Sequence, residues 1–289
     1  MRRHQTQTSL RLRRLFPYAA VAALLAILMS LPEAGAQPRT DYRILVTNDD
    51  GIRAPGIAAL VEALAPLGDI TVVAPLENHS GTGHAITLSG PIYADQVAIG
   101  ENRTATAIAG TPATCVRLAL STLMDARPDL VVSGVNRGSN FGLNAYISGT
   151  VAAAREAAMQ GIPAIAASLD IAGHPNYGPA AAATARVAGI VKAGGLGRGV
   201  FLNVNVPAVP ADVLKGLQLT RQSSQFGVER FDEAKTPYGR RLYWSFFQQP
   251  VAAEPGTDVQ AVLDGYVAVT PLMASEFDAG AFEKLKGRF

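Results

Sequence analysis

The chain has 289 residues with a formal net charge of +2, and 48% of the residues are hydrophobic. The first 36 residues contain five arginines and one glutamate, so the remaining chain has a net charge of −2 and gives no electrostatic argument for nucleic-acid binding. Cys115 is the only cysteine, which excludes an intrachain disulfide. Its apolar neighbours favour a small core residue over a nucleophile.

The first 36 residues have the pattern of a secretory signal peptide. A basic head precedes the apolar residues 15–31, and Ala34-Gly35-Ala36 predicts cleavage after Ala36 and export to the periplasm. The apolar run is short for a membrane span, so no stable membrane insertion is expected after cleavage, and an uncleaved anchor is the alternative. Arg13-Arg14 also fits a twin-arginine signal, which leaves both the Sec and the twin-arginine routes open.

The first strand ends in an acidic turn. Residues 44–46 are apolar without alternation, which predicts a strand buried on both faces. Asn48-Asp49-Asp50-Gly51 follows, and Gly51 allows the chain to turn there. Both carboxylates are therefore expected at the carboxyl end of this strand, where open α/β sheets bind ligands. An isolated pair of aspartates is more often a structural turn, so neighbouring loops decide between the two interpretations.

Strands and helices alternate through residue 206. The patterns predict helices at 54–64, 112–124, 150–158 and 180–192. They predict strands at 44–46, 69–74, 130–133, 164–168 and 201–206, with one or two shorter strands between 86 and 108. This alternation indicates an α/β fold with a mostly parallel sheet covered on both faces.

The segment from residue 216 onward has a different character. Strands are predicted at 217–223, 243–247 and 265–270, with a polar loop between the first two and a weak helix at the end. We therefore expect three regions: a cleaved leader (1–36), an α/β core (37–215) and an appended β-rich arm (216–289). Such an arm is expected to pack on a partner subunit.

Three polar loops follow three predicted parallel strands. They are residues 48–51, 77–84 and 133–140, and together they contain carboxylate, hydroxyl and amide oxygens. The carboxyl ends of parallel strands share one edge of a sheet, so these loops can meet. An all-oxygen set suits Mg²⁺, Mn²⁺ or Ca²⁺, whereas zinc favours histidine and cysteine.

Ser148-Gly149-Thr150 begins a predicted helix and can form an anion site with its free amides and hydroxyls. Simple helix capping by Ser148 or Thr150 is the alternative. The chain has no Walker lysine and no G-x-G-x-x-G after the first strand, which disfavours a P-loop or a bound dinucleotide. A metal site facing a phosphate-sized anion site indicates phosphate-ester chemistry.

Eight segments carry a resemblance to a known family: 47–51 (TNDDG), 78–81 (NHSG), Gly110-Thr111-Pro112, 133–140 (SGVNRGSN), 148–154 (SGTVAAA), 202–207 (LNVNVP), 256–258 (GTD) and 265–272 (GYVAVTPL). Through these segments, the chain from Tyr42 to about Leu272 resembles the SurE family of nucleotidases. The resemblance implies a Rossmann-like α/β core and a C-terminal arm exchanged within a homodimer or homotetramer. It also implies a metal-dependent phosphatase acting on nucleoside 5′- and 3′-monophosphates, with polyphosphate activity in some members.

The resemblance further implies site residues and one divalent cation per subunit, Mg²⁺ or Mn²⁺. The implied metal ligands are Asp49, Asp50, Ser80 and Asn136. The implied phosphate-site residues are Asn140, Ser148, Gly149 and Thr150, with His84 as an additional substrate-binding residue. Asp49, Asn140, Ser148 and Thr150 are expected to be catalytic: water attacks in line while the phosphate site stabilises the equatorial oxygens. Covalent attack by Asp49 is the less favoured variant.

Three positions depart from the family pattern. Members commonly have Asp at the positions of Thr114 and Asn144, and Tyr at that of Ile147. Two of these changes lie just before the predicted phosphate loop and bear on its geometry and substrate preference. The alternatives are therefore a nucleotide- or metal-binding module with little turnover, or a phosphatase for another phosphomonoester.

Overall fold

A nine-stranded sheet forms the centre of the computed structural model, which describes residues 42–100, 103–170, 175–248 and 250–288. The predicted leader and its export lie outside the described residues and stay predictions. The strands are β1 (Arg43–Thr47), β2 (Asp69–Pro75), β3 (Ala94–Ile99), β4 (Arg103–Ile108), β5 (Leu130–Arg137), β6 (Ala164–Leu169), β7 (Val200–Val206), β8 (Leu217–Leu219), β9 (Val228–Lys235), β10 (Arg241–Gln248) and β11 (Val267–Met273).

The sheet is mostly parallel, which confirms the predicted fold class. Its strand order is β3-β4-β2-β1-β5-β6-β7-β11-β8, and the six adjacent strands from β4 to β7 are parallel. The chain proceeds outward from β1 toward β2 on one side and from β5 toward β7 on the other. The boundary between β1 and β5 is therefore the topological switch point, where α/β sheets form their ligand crevice.

The helices cover both faces of the sheet. They are α1 (Pro55–Leu64), α2 (Pro112–Leu118), α3 (Gly149–Met159), α4 (Tyr177–Gly194), α5 (Asp258–Leu263) and α6 (Ala279–Leu285). Because successive strand residues point to opposite faces, Ile44 and Val46 pack in the cluster with α1 and α4, while Leu45 packs with α2 and α3. Cys115 is fully buried in the second cluster, which agrees with a core role.

Two crossovers on the same face have opposite hands. The β1-α1-β2 and β6-α4-β7 connections run in opposite directions across the sheet, yet α1 and α4 pack together on one side. One of them must therefore depart from the usual right-handed rule. The arrangement brings the first residue of α4, Tyr177, against α1: a Cβ on Gly56 would lie 3.1 Å from Cε1 of Tyr177.

The C-terminal region differs from a wholly appended arm. The strands β11 and β8 extend the central sheet, with β11 antiparallel to β7 and parallel to β8. Only β9 and β10 form a separate two-stranded antiparallel sheet among the described residues. A role of residues 216–289 in oligomerisation stays a prediction. In the part of the chain that the structure describes, no helix has the length and apolar character needed to cross a bilayer.

Strand β5 is longer than predicted. It continues to Arg137, so Asn136 lies in a strand rather than in a loop. The pairing of β5 with β6 shifts between Ser133 and Asn136. At the shift, a Cβ on Gly134 would lie only 2.3 Å from the carbonyl oxygen of Ala167, so only glycine fits there.

Candidate metal and phosphate site

Asp49 lies at the centre of the candidate site, directly after β1. Its side chain is buried, with 3% of the residue exposed. The turn that follows is fixed by Asn48, whose Nδ2 donates to the carbonyl oxygen of Gly51 at 2.8 Å. Gly51 has a φ of +99°, a conformation that glycine adopts without strain. The predicted acidic turn at the end of the first strand is thus present.

The N-terminus of α3 contacts the Asp49 carboxylate. The Thr150 hydroxyl donates to Oδ1 of Asp49, and the Thr150 backbone amide also hydrogen-bonds to this carboxylate. Burial raises the pKa of Asp49 to about 6, with a further contribution from the charge of Asp50, while the bonds from Thr150 oppose the rise. Thr150 therefore acts on Asp49, and its predicted contact with phosphate stays a prediction.

Asp50 joins the ends of β1 and β5. Its Oδ2 accepts a hydrogen bond from the backbone N–H of Arg137 at 2.9 Å. Burial raises the pKa of Asp50, and the amide and the charge of Arg137 oppose this rise. The phenol of Tyr177 lies close enough for Asp50 to help raise its pKa, after the larger effect of burial. Two acidic side chains therefore lie at the switch point.

The second predicted loop packs against Asp49 through its backbone. The N–H of His79 donates to the carbonyl oxygen of Asp49 at 2.8 Å, and the N–H of Gly83 donates to that of Ile147 at 3.0 Å. Within the loop, Asn78 Oδ1 accepts from the N–H of Ser80 at 2.7 Å. These bonds hold the exposed Ser80 at the entrance of the site.

His84 faces α3 rather than the pocket. Its Nε2 lies 2.9 Å from Oε2 of Glu156, whose Oε1 accepts from Nε of Arg117 at 2.9 Å. Burial alone would raise the pKa of Glu156, but hydrogen bonds from His84, Gln160 and Arg117 outweigh it and hold the pKa below its ordinary value. The geometry makes His84 an anchor of the second loop, and its predicted substrate contact stays a prediction.

A cleft of ≈ 400 Å³ brings five of the predicted site residues together, a size typical of small-molecule sites. Those five are Asp49, Ser80, Asn136, Asn140 and Ser148. Asp50, His84, Gly149 and Thr150 do not line it. Gly149 lies behind Asp49, because a Cβ at this position would be 2.8 Å from Cβ of Asp49. Ser148 caps α3, and its Oγ accepts from the N–H of Val151 at 3.1 Å.

Asn140 is held by residues to which the sequence analysis assigned no role. Its N–H donates to Oδ1 of Asn205 at 2.7 Å, and its carbonyl oxygen accepts from Nδ2 of Asn203 at 2.8 Å. Its own Nδ2 donates to Oγ of Ser168 at 2.9 Å. The available signal was the pattern Asn-x-Asn in an otherwise apolar strand, which places both amides on one face near its carboxyl end.

The loop between β5 and α3 is fastened to the C-terminal region. The carboxylate of Asp258, itself fully buried, accepts from the N–H groups of Gly142 and Ser223 at 2.9 and 2.8 Å. The side-chain amide of Gln222 donates to the carbonyl oxygen of Gly142 at 2.8 Å. Burial raises the pKa of Asp258, and these backbone bonds oppose the rise. The pocket wall therefore depends on residues distant in sequence.

The sequence model of the family described as "Survival protein SurE" matches residues 44–228. The chain belongs to this family. It is 48% identical over 232 residues to the protein named 5′-nucleotidase SurE of Geobacter sulfurreducens, covering 79% of this chain and 87% of the relative. The protein of the same name from Christiangramia forsetii is 42% identical over 249 residues, covering 84% and 94%. The crystal structure of SurE protein from Aquifex aeolicus superposes with a TM-score of 0.74 at 38% identity, covering 84% and 98%.

The three departures from the SurE pattern occupy different surroundings. Asn144 and Ile147 line the cleft, with 4% and 49% of each residue exposed. Thr114 does not line it: its Oγ1 accepts from the N–H of Thr87 and pairs with the Thr111 hydroxyl, each at 2.8 Å. Only the changes at Asn144 and Ile147 therefore alter the wall of the cleft directly.

The donor set fits a hard divalent cation. Asp49, Asp50, Ser80 and Asn136 offer only oxygen atoms once the Asn136 amide nitrogen is assigned, and that nitrogen donates to Gly138 at 2.6 Å. In the described part of the chain, no group of three or more His, Cys, Asp and Glu residues that could hold a metal occurs. Burial raises the pKa of both aspartates, and a cation would favour their ionised forms.

Proposed function

We propose that this SurE protein is a divalent-metal-dependent phosphatase that hydrolyses nucleoside 5′-monophosphates, and 3′-monophosphates, to nucleoside and phosphate. The observation that carries the proposal is the buried Asp49 carboxylate, which meets the N-terminus of α3 at the edge of a polar cleft. Two relatives with more than 40% identity carry the name 5′-nucleotidase SurE, which supports the substrate class.

In this proposal one set of residues would hold the metal ion, and a second set orients residues of the site. Asp49 and Asp50, with Ser80 and Asn136, would hold Mg²⁺ or Mn²⁺, which when bound supplies Lewis-acid polarisation of the phosphoryl group and acidifies a water molecule. The Thr150 hydroxyl orients Asp49, while the Asn203 and Asn205 side chains orient Asn140.

The remaining cleft residues would bind the phosphoryl group. Asn140 and Ser148 line the cleft, and the positive end of the α3 helix dipole favours an anion there. Water then attacks in line, and the phosphoryl oxygens are stabilised by these donors as charge develops. Export by a cleaved leader would make the protein a periplasmic nucleotidase, and the β9–β10 hairpin would join two or four subunits.

The test uses the protein without residues 1–36. Nucleoside 5′- and 3′-monophosphates, an aryl phosphate and polyphosphate are supplied with Mg²⁺, Mn²⁺ or EDTA, and phosphate release is measured. We expect release that needs the metal and is highest with a nucleoside monophosphate. Asp49→Asn should abolish release, whereas the exposed Asp264→Asn should not. Equal release in EDTA would contradict the metal requirement, and preference for the aryl phosphate would point to another phosphomonoester.

A further inference from the structure

A second cavity, here called the Arg155 cavity, adjoins the loop that walls the cleft. It has a volume of ≈ 430 Å³ and is lined by polar groups that include Tyr146, Arg155, Gln222, Ser275 and Glu276. Tyr146 lines this cavity and the next residue, Ile147, lines the cleft, so consecutive residues of one loop serve both. The Arg155 cavity is thus a neighbour of the candidate site and shares none of the predicted site residues.

Arg155 has no polar partner in this cavity. Its guanidinium carbon lies 5.6 Å from the ring centroid of Tyr146 and 5.9 Å from that of Phe201. Among the described residues, no hydrogen bond or ion pair within 4.0 Å involves its side chain, although a guanidinium has five N–H donors. Both rings lie within cation–π range of the guanidinium and favour its charged form, while its N–H donors make no hydrogen bond among the described residues.

We propose that the Arg155 cavity is an anion site in which the guanidinium binds a phosphate group. A planar guanidinium matches phosphate oxygens with two parallel hydrogen bonds, and its rigid fork loses less entropy per hydrogen bond than a flexible ammonium group does. The Ser275 hydroxyl can add a donor, because its Oγ accepts from the N–H of Phe277 at 3.3 Å and its own hydrogen stays free. The Tyr146 hydroxyl at the same wall is a further donor.

Glu276 is the competing anion in this cavity. Burial lowers the pKa of Arg155, and the nearby charge of Glu276 acts in the opposite direction. Glu276 is exposed and makes no ion pair with Arg155, so it stabilises the cation only at longer range. A bound phosphate would have to overcome the repulsion of this carboxylate. Removing the Glu276 charge should therefore strengthen phosphate binding, while removing Arg155 should weaken it.

The phosphate can have two sources with the same chemistry. It can be free inorganic phosphate, or it can be a second phosphate of a molecule whose first phosphate occupies the cleft. The inference goes beyond the proposed function, since binding to Arg155 can be measured in EDTA without any hydrolysis.

Calorimetric titration of inorganic phosphate into the protein in EDTA tests the site. We expect Arg155→Gln to weaken one phosphate site per subunit by about tenfold or more, and Glu276→Gln to tighten it by about threefold. Arg155→Lys keeps the charge but loses the planar fork, so it should show an intermediate affinity. Because Arg155 packs on two rings, its variants can lose stability; the exposed Glu276→Gln provides a test that does not depend on that packing.

Unchanged phosphate affinity in Glu276→Gln and in a folded Arg155→Gln would overturn the proposal. If Arg155→Gln does not fold, an unchanged affinity in Glu276→Gln alone overturns it. The source is identified by kinetics: a KM raised by Arg155→Gln for a nucleoside 3′,5′-bisphosphate but not for the 5′-monophosphate indicates a second substrate phosphate. If Arg155→Gln leaves both KM values unchanged but loses phosphate binding in the calorimetric titration, the site binds free inorganic phosphate. Absence of any hydrolysis by the wild type would contradict the proposed function and leave the titration result intact.

Discussion

At the scale of single residues, Asp49 is the buried acid in the lining of the cleft. Its burial disfavours the charged form and raises its pKa to about 6, and the neighbouring Asp50 adds to this effect. The hydrogen bonds from Thr150 stabilise the carboxylate but do not offset the burial. An ionised Asp49 is therefore costly in the metal-free protein, and a bound cation would remove that cost.

This cost predicts a pH-dependent gain of stability in Asp49→Asn. Asp49 binds its proton near pH 6 in the folded protein and near pH 3.8 in the unfolded chain. Between these values the folded state holds the extra proton, so the unfolding free energy of the wild type falls as the pH rises through this window. In EDTA, the Asp49→Asn variant lacks this loss. In urea unfolding, its stability relative to the wild type should therefore rise by about 3 kcal/mol between about pH 3.5 and about pH 8.

The exposed Asp264→Asn is the matched control, since it should leave the pH dependence of the wild type unchanged. Adding Mg²⁺ at pH 8 should stabilise the wild type more than Asp49→Asn. A stability difference between wild type and Asp49→Asn that stays constant from about pH 3.5 to about pH 8 would show that Asp49 ionises without cost.

The site residues differed in how far the sequence alone could place them. Asp49 was expected at a strand end because a buried apolar run and a glycine turn are local patterns. The orientation of His84 toward Glu156 depends on a residue 72 positions away, and the support of Asn140 by Asn205 on one 65 positions away. Local periodicity carries no information on contacts between residues distant in sequence. The partners of His84 and Asn140 could therefore be identified only from the fold.

At the scale of elements, the N-terminus of α3 lies close to the end of β1, and this brings Thr150 into contact with Asp49. Gly149 permits this approach: a Cβ there would lie 2.8 Å from Cβ of Asp49 and 3.1 Å from Cγ of Pro112. Real Cβ atoms do not tolerate the first of these distances, so any side chain would move the helix N-terminus away from the carboxylate. The close packing of α3 against the end of β1 therefore requires a residue without a side chain at Gly149.

Gly149→Ala is expected to damage both stability and activity. The displaced N-terminus should lower the unfolding free energy by about 1–3 kcal/mol, as overpacking usually does. It should also lower metal-dependent phosphate release by about tenfold or more, because small misplacements of catalytic groups are costly. Chemical unfolding and a phosphate-release assay measure the two effects.

The chain offers a matched control in Gly189, which lies inside α4 with no atom within 4 Å of a Cβ. Gly189→Ala should stabilise the protein by about 0.5–1 kcal/mol, since alanine favours a helix interior, and should leave phosphate release unchanged. If Gly149→Ala and Gly189→Ala show the same stability and the same phosphate release, the contact between Gly149 and Asp49 is not required for function.

Two elements were misjudged from the sequence for reasons of context. The segment of β9 was expected to be a polar loop, because its charged residues suppress the strand signal. It nevertheless pairs with β10 over eight residues, and the full ladder compensates for the weak local preference. The segment 112–124 was predicted as one helix, but α2 ends at Leu118 and a π-helical turn, Ala119–Leu123, completes it.

At the scale of the whole molecule, the alternation of strands and helices was enough to predict the parallel sheet and the edge at which its polar loops meet. It was not enough to predict that β11 and β8 would join that sheet, because strands of either direction have the same local pattern. Among the strands of the described residues, only β9 and β10 lie outside the central sheet. The exposed side chains of this hairpin bear on its predicted role in subunit contact.

The hairpin exposes large aromatic side chains on both faces: Tyr243 and Phe231 on one, and Trp244 and Phe246 on the other. Trp244 and Phe246 alternate along β10 and are 62% and 48% exposed, with the Arg230 guanidinium carbon 5.3 Å from the Phe246 ring centroid. Residues two apart on a strand share a face, so the two rings form one apolar strip. Exposed apolar strips often mark contacts with a partner, and the proposed oligomer would supply a second copy of the chain as that partner.

The double variant Trp244→Ala/Phe246→Ala is therefore expected to dissociate the oligomer. Central aromatic anchors contribute about 2 kcal/mol or more each to an interface, which corresponds to a dissociation constant raised by more than about a hundredfold for the pair. Sedimentation velocity over a range of protein concentrations measures the shift toward monomer. Tyr238→Ala is the control, because Tyr238 lies in the turn between the strands at 96% exposure, outside the strip. Equal oligomeric states in both variants would place the subunit contact elsewhere on the molecule.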